Sequence, residues 1–246
     1  MVLVPLKCSY CESINIRKFG SSPIGKQRYE CKNCKKTFQD NYTYTAYNPN
    51  IRSDIFFQTV NGSGIRAIAR TLGIAKDTVI STLRSFESSL WYVNRAYLEN
   101  RDNQNSIVEI VSATEAEMDE MWSFVHDKSQ QYWLWWAIDH NTGEPLAFCF
   151  GTREYKYLDD LLSLLVPFGI EKVYADNNLV YRSKIDEGNL VTGKRNTQKI
   201  ERKHLSLRTW CSRLIRKGIR FSKKHDMHKI VVALIINFWF FDRVLV

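Results

Sequence analysis

The chain has 246 residues, of which 44% are hydrophobic and 13% aromatic, and it carries a formal net charge of +9. That is enough apolar material for one sizeable core with one or two small modules, which excludes a disordered chain. The positive charge calls for a polyanionic partner: nucleic acid first, with an anionic membrane surface or an acidic protein as alternatives that charge alone does not separate.

The opening MVLVPLKCSY has only a few apolar residues before Lys7 and Cys8, too few for a secretory leader, and we expect an intracellular protein. Next come Cys8-Ser-Tyr-Cys11, a 19-residue insert, and Cys31-Lys-Asn-Cys34. Thiolates spaced in this way on two tight turns meet one tetrahedral Zn²⁺ at about 2.3 Å, closing a structural site. A redox CxxC would need a βαβ surround, and none is evident here. Around the Gly20-Ser-Ser-Pro23 turn, IRKF and QRYEC can pair as a hairpin, and the segment reads as a zinc ribbon over residues 1–45. Its apolar residues are too few for a core, so the metal is expected to supply the folding energy. Lys7, Arg17, Lys18, Lys26, Arg28, Lys32, Lys35 and Lys36 make it basic, which favours phosphate contact over an idle solvated face.

Residues 50–100 form a second unit. In GIRAIARTLGIAKDTVISTLRSF, Ile65, Ile68, Ala69 and Leu72 fall at helical spacing, Gly73 stops the helix, and Val79, Ile80 and Leu83 face inward from a second helix. An ordinary helical hairpin has this pattern too, but beside a basic ribbon a helix-turn-helix is the better reading. Its second helix would present Lys76, Thr78, Ser81 and Arg84 to a DNA groove. Phe86 to Leu98 reads as a further helix or linker, and Glu99 to Asn105 as a polar boundary.

From residue 105 to 246 the pattern turns to strands. IVEIVSA and EAEMDEMWSFV read as strands; in the latter, Met118, Glu120, Trp122 and Phe124 share one face and Glu117, Asp119, Met121 and Ser123 the other. YWLWWAID, a turn at His140 to Gly143, and PLAFCFG form a hairpin whose Trp133, Trp135 and Trp136 suit its core. A helix from Tyr155 to Val166 and a strand KVYADN follow. This order is that of a ribonuclease-H-like α/β core, in which the first and fourth strands are neighbours and would bring Asp119 beside Asp176. Leu190 to Lys194 is a last short strand. Gln198 to Lys217 reads as one helix, with Ile200, Leu207, Cys211 and Leu214 inward and Glu201 near its positive end. Its other face carries Arg202, Lys203, Arg208, Arg213, Arg216 and Lys217; Arg202, Lys203 and Arg208 are the expected DNA contacts. The apolar run Ile230 to Phe241 is shorter than the roughly 20 residues of a membrane span and reads as a buried helix.

Three carboxylates on one site suit metal-assisted phosphoryl chemistry, since hard Mg²⁺ or Mn²⁺ ions take oxygen ligands and a pair of them can flank one phosphate. Solvated surface charge is the usual fate of such acids, and Glu115, Glu117, Glu120 and Asp127 are rivals to Asp119. EMDEMW, YADNNLVY and TQKIERKHLSLR, preceded by the two-knuckle ribbon and the helix-turn-helix, resemble the transposases of the insertion sequence one family over nearly the whole chain. The resemblance implies a ribonuclease-H-like fold and a DDE triad at Asp119, Asp176 and Glu201 holding two Mg²⁺ or Mn²⁺ ions. Tyr181 and Arg202 stand where the family motif has tyrosine and arginine; His204 stands where it usually has Asn. It further implies a nucleoid-associated, cytoplasmic enzyme that binds terminal inverted repeats of double-stranded DNA. Such an enzyme cuts and rejoins the element, acting as a homodimer or larger assembly. A non-catalytic DNA-binding regulator and a structure-specific nuclease are the competing readings.

Overall fold

The computed structural model describes residues 5–23, 25–40, 45–98, 114–215 and 217–246. The ribbon is a three-stranded antiparallel sheet, β1 (Ile16–Ser21), β2 (Gln27–Cys31) and β3 (Thr37–Gln39), in that order. Each cysteine knuckle closes with the residue four places after its first cysteine donating its N–H back to that cysteine: Glu12 to Cys8 O and Lys35 to Cys31 O, both 2.9 Å. Both closing residues take positive φ, 56° and 61°, which is how so short a turn brings both of its thiols to one point. Among the described residues of the ribbon only Cys8, Cys31 and Phe38 are buried apolar ones, too few for a core.

Three helices follow, α1 (Ile51–Val60), α2 (Ile65–Leu72) and α3 (Lys76–Ser85). Gly73, at φ 64°, ends α2 in the left-handed conformation that a side chain would resist. Ile68, Val79 and Leu83 are fully buried, as the helical spacing predicts.

The large unit is built on β4 (Glu115–Val125), β5 (Asp127–Asp139), β6 (Pro145–Gly151), α4 (Tyr155–Leu165), β7 (Lys172–Ala175), α5 (Leu179–Arg182), β8 (Leu190–Thr192), α6 (Gln198–Trp210) and α7 (His225–Trp239). The sheet order is β6-β5-β4-β7-β8, with β4, β5 and β6 antiparallel and β7 and β8 parallel to β4. This is the ribonuclease-H-like arrangement. Both faces of the sheet are covered. On one, Met118, Trp135 and Tyr181 pack with Leu158 and Leu161 of α4. On the other, Met121, Trp136 and Phe148 pack with α6, α7 and the helix-turn-helix in one continuous cluster that includes Phe56, Leu83, Ile200 and Ile235. Burying side chains of this size is worth ~1.5–3 kcal/mol each, so the helical module is held against the sheet by a shared core.

The helix expected from Gln198 to Lys217 is shorter. It ends at Trp210, Cys211 is extended, and Ser212–Leu214 form a separate 3₁₀ turn. Leu214 is still buried, because a spacing of three serves a 3₁₀ turn as well as an α-helix. Arg213, placed by the sequence on a basic helix face, instead donates to Ser222 Oγ and the Met227 carbonyl. IVEIVSA, the polar boundary from Glu99 to Asn105, and Arg216 lie outside the described residues. No helix among the described residues is long and apolar enough to cross a membrane.

Candidate active site

Asp119 lies mid-strand on β4, the strand flanked by both β5 and β7. The parallel register pairs Glu117 with Tyr174; two residues further on, the same register sets Asp119 opposite Asp176, just past the end of β7. The rivals to Asp119 are occupied elsewhere. Glu117 is buried, accepts the Ile200 N–H at 3.0 Å and meets His140 Nδ1 at 3.1 Å. Glu120 points to the opposite face of the sheet. It accepts from Arg153 at 2.9 and 3.1 Å, from Asn178 Nδ2 at 2.8 Å and from the fully buried Tyr181 hydroxyl at 2.8 Å.

These two glutamates are tethers. Glu117 fastens the first turn of α6, which carries Glu201, to the strand that carries Asp119. Glu120 fastens the Asp176 turn to the same strand through Asn178 and Tyr181. Asn178 also accepts from Val180 N at 3.3 Å to cap α5, and donates its own N–H to Asp176 Oδ1 at 3.1 Å. Strict alternation puts Glu120 on one face and residues 117 and 119 on the other, but it does not separate Glu117 from Asp119.

Asp119, Glu201, His204 and Arg208 line one cleft of about 300 Å³, together with Glu120 and Leu205; Asp176 is not part of its lining. Glu201 and Arg202 are exposed, while His204 is buried beneath them. His204 Nδ1 is 3.4 Å from Asp119 Oδ2, and its ring meets Trp136 edge-on. Burial, and then the charge of Arg208, press its pKa down to about 3, so the imidazole is neutral and the contact is no ion pair. Its Nε2 is buried without a hydrogen-bond partner. Asp119 is pushed the other way, to about 7, by burial first and then by the negative charges of Glu120, Asp176 and Glu201, against a 2.8 Å bond from Glu120 N. Crowded carboxylates of this kind are relieved by a hard cation, and the donor chemistry fits one. They do not yet form a closed cage: among the described residues the four cysteines are the only set of His, Cys, Asp and Glu ligand atoms all within 4.8 Å of one another.

In that cysteine set, Cys8 and Cys34 Sγ are 3.7 Å apart and Cys11 and Cys31 Sγ 3.5 Å. A tetrahedron with ~2.3 Å Zn–S bonds has edges of about 3.8 Å, so the thiols fit zinc. The expected DNA contacts are scattered. Lys76 and Ser81 are exposed on α3 and Thr78 is half-buried. Arg84 is paired with Asp226 at 2.7 Å. Lys203 is half-buried, its ammonium 5.4 Å from the Phe240 ring. Arg208 lies inside the acidic cleft rather than on an outer basic face.

A family model described as IS1 transposase matches residues 111–242, and one described as InsA C-terminal domain matches residues 42–87. The insertion element iso-IS1n protein InsB of Shigella dysenteriae is 42% identical over 121 residues, 49% of this chain and 92% of that protein. The IS1 protein InsB of Shigella sonnei is 40% identical over 122 residues, 50% of this chain and 93% of its own. Among solved structures, the catalytic core of BIV integrase superposes with a TM-score of 0.36 at 14% identity, covering 55% of this chain and 88% of that one. A Mos1 transposase paired-end complex gives 0.35 at 13%, covering 85% and 76%. The strand order, and not these low-scoring superpositions, carries the fold assignment.

Proposed function

Since the chain belongs to the IS1 transposase family, a family of DDE enzymes that act on DNA with divalent metal, we propose that Asp119, Asp176 and Glu201 are its catalytic triad. The observation that supports this best is the pair of tethers: two buried glutamates on opposite faces of β4 hold the Asp176 turn and the Glu201 helix to the strand of Asp119. The three acids hold two Mg²⁺ or Mn²⁺ ions, which when bound make water or a 3′-hydroxyl nucleophilic and offset charge on the phosphate. His204, kept neutral, rests against Asp119 without adding charge to the cleft, and Arg208 offers a cation to the DNA backbone at its other side. Arg202, exposed on α6 beside Glu201, contacts a neighbouring phosphate. The helix-turn-helix reads the terminal inverted repeats through Lys76, Thr78 and Ser81, and Arg84 joins them by exchanging Asp226 for phosphate. Cys8, Cys11, Cys31 and Cys34 bind one structural Zn²⁺, giving a ribbon over residues 1–45 beside DNA-binding (50–100) and catalytic (105–246) units. Two ends must be held together, so the working form is a homodimer or larger assembly on nucleoid DNA in the cytoplasm.

The test is cleavage and strand transfer of end-bearing duplex in Mg²⁺. Asp119→Asn, Asp176→Asn and Glu201→Gln should each abolish both steps while the folded chain still binds DNA. Wild-type rates in any of the three would remove that acid from the triad. Cleavage without joined product would favour a nuclease, and specific binding with no cleavage a regulator.

A further inference from the structure

Away from the acids, the corner between α1 and α2 faces the segment that follows α6 across a cleft of about 660 Å³. Arg66 and Arg70 of α2 and Arg220 of that segment line it, with Gly62, Gly64 and Ile219, and among the described residues no acidic side chain takes part in the lining. All three arginines are exposed. None has an ion-pair partner among the described residues, whereas Arg17, Arg84 and Arg153 each meet a carboxylate.

The two walls are joined by close packing. Gly62, at φ +83°, sits where an added Cβ would lie 2.7 Å from the Trp210 carbonyl oxygen at the end of α6. Ser212 Oγ donates to the Gly62 carbonyl at 3.2 Å, and Trp239, stacked on Trp210 with centroids 4.7 Å apart, donates Nε1–H to the Val60 carbonyl at 2.8 Å. The α1–α2 corner that forms one wall thus rests on the end of the helix that carries Glu201.

We propose that this cleft is a backbone clamp for double-stranded DNA, in which Arg66 and Arg70 on one wall and Arg220 on the other grip phosphates of a single duplex. The inference rests on the transposase reading and adds to it a place where one duplex is held by both units at once. Arg66 and Arg70 are four residues apart and share a helix face. They lie on the leading helix of the helix-turn-helix, the one that crosses the backbone when the second helix enters the groove. Guanidinium groups suit phosphate, and unpaired ones need shed no partner to take it. A duplex seated on α3 therefore runs over α2 into the cleft, and Arg220 fixes its direction relative to the acid helix.

The experiment measures binding of a fluorescent random-sequence duplex and of an end-bearing duplex to the zinc-loaded full chain, as a function of KCl. Losing a phosphate contact weakens binding to all sequences alike and lowers the steepness of log K against log salt by about 0.9. Arg66→Gln with Arg70→Gln should lower the slope by about 1.8 and Arg220→Gln by about 0.9, with roughly tenfold weaker binding per arginine at low salt. The variants should melt with the wild type, and Lys128→Gln with Lys156→Gln, exposed cations elsewhere, should leave the slope in place. An unchanged slope in either arginine variant overturns the clamp, as does a loss confined to the end-bearing duplex. Failure of the transposase reading looks different: the wild-type chain would give no Mg²⁺-dependent strand transfer, whatever its salt slope.

Discussion

Glu117 offers the sharpest separation between a residue that holds the site and one that performs the chemistry. Its side chain is 2% exposed, and it accepts the buried Ile200 N–H at 3.0 Å and contacts His140 at 3.1 Å, while His140 stacks on Tyr174 at 3.9 Å. Glu117→Ala leaves that N–H without an acceptor, which costs about 1–3 kcal/mol, to which the void left by the side chain adds. For a chain of this size the melting midpoint should fall by roughly 5–10 °C. The first turn of α6 is then free to shift, and a displacement of about 1 Å at Glu201 is worth on the order of a hundredfold in rate. Glu117→Gln keeps an acceptor oxygen and should recover most of both losses. The assay is single-turnover strand transfer from a pre-cut 3′ end at a temperature where all variants are folded, alongside thermal melts. A Glu117→Ala enzyme that is destabilised yet transfers at the wild-type rate would refute the tether. A Glu117→Gln enzyme as inert as Asp119→Asn, with Mg²⁺ affinity lost, would instead make Glu117 a metal ligand.

Three further outcomes follow from the same geometry. Tyr181→Phe removes one of the donors to the buried Glu120 carboxylate, and should lower stability by about 1–3 kcal/mol and slow strand transfer without weakening DNA binding, measured by melts and anisotropy. The zinc-loaded chain should contain one zinc by elemental analysis and lose it in the Cys8→Ser, Cys31→Ser variant, with the ribbon's amide resonances collapsing while those of the large core persist; a dispersed ribbon spectrum without metal would refute the site. His228, held by Ser222 and Ser123 and pressed to about 3 by burial and then by Arg213 and His225, binds its proton in the unfolded chain long before the folded one. This histidine's contribution to stability is therefore complete above pH ~6.5 and falls by up to about 1.4 kcal/mol per unit as pH drops toward 3, and His228→Gln should remove that part of the slope from the urea-denaturation profile.

Much of this molecule is legible from local spacing. The ribbon follows from two cysteine pairs, because a knuckle closes within its own residues. The helix-turn-helix follows from apolar periodicity and Gly73, because both helices bury a single face. Asp176 is marked by its place at the end of an apolar strand. Periodicity is weaker on β4, whose two faces are both covered, so that inward and outward lose their meaning there. Four acids lie between residues 115 and 120, and separating Asp119 from Glu117 and Glu120 requires knowing what each one touches: an amide of α6, a tyrosine of α5, or an open cleft. The end of α6 at Trp210 is hidden from the sequence for a related reason, since a buried leucine three residues on fits a 3₁₀ turn as well as a longer helix. Charge counting likewise predicts a polyanionic partner without saying where it lies. Arg84, Lys203 and Arg213 are taken up by Asp226, the Phe240 ring and Ser222, whereas Arg66, Arg70 and Arg220, from distant parts of the chain, line one cleft that only packing creates. Residue type and spacing suffice where a unit is stabilised by its own neighbours; where partners come from distant parts of the chain, only packing selects which charged group is buried, paired or left open.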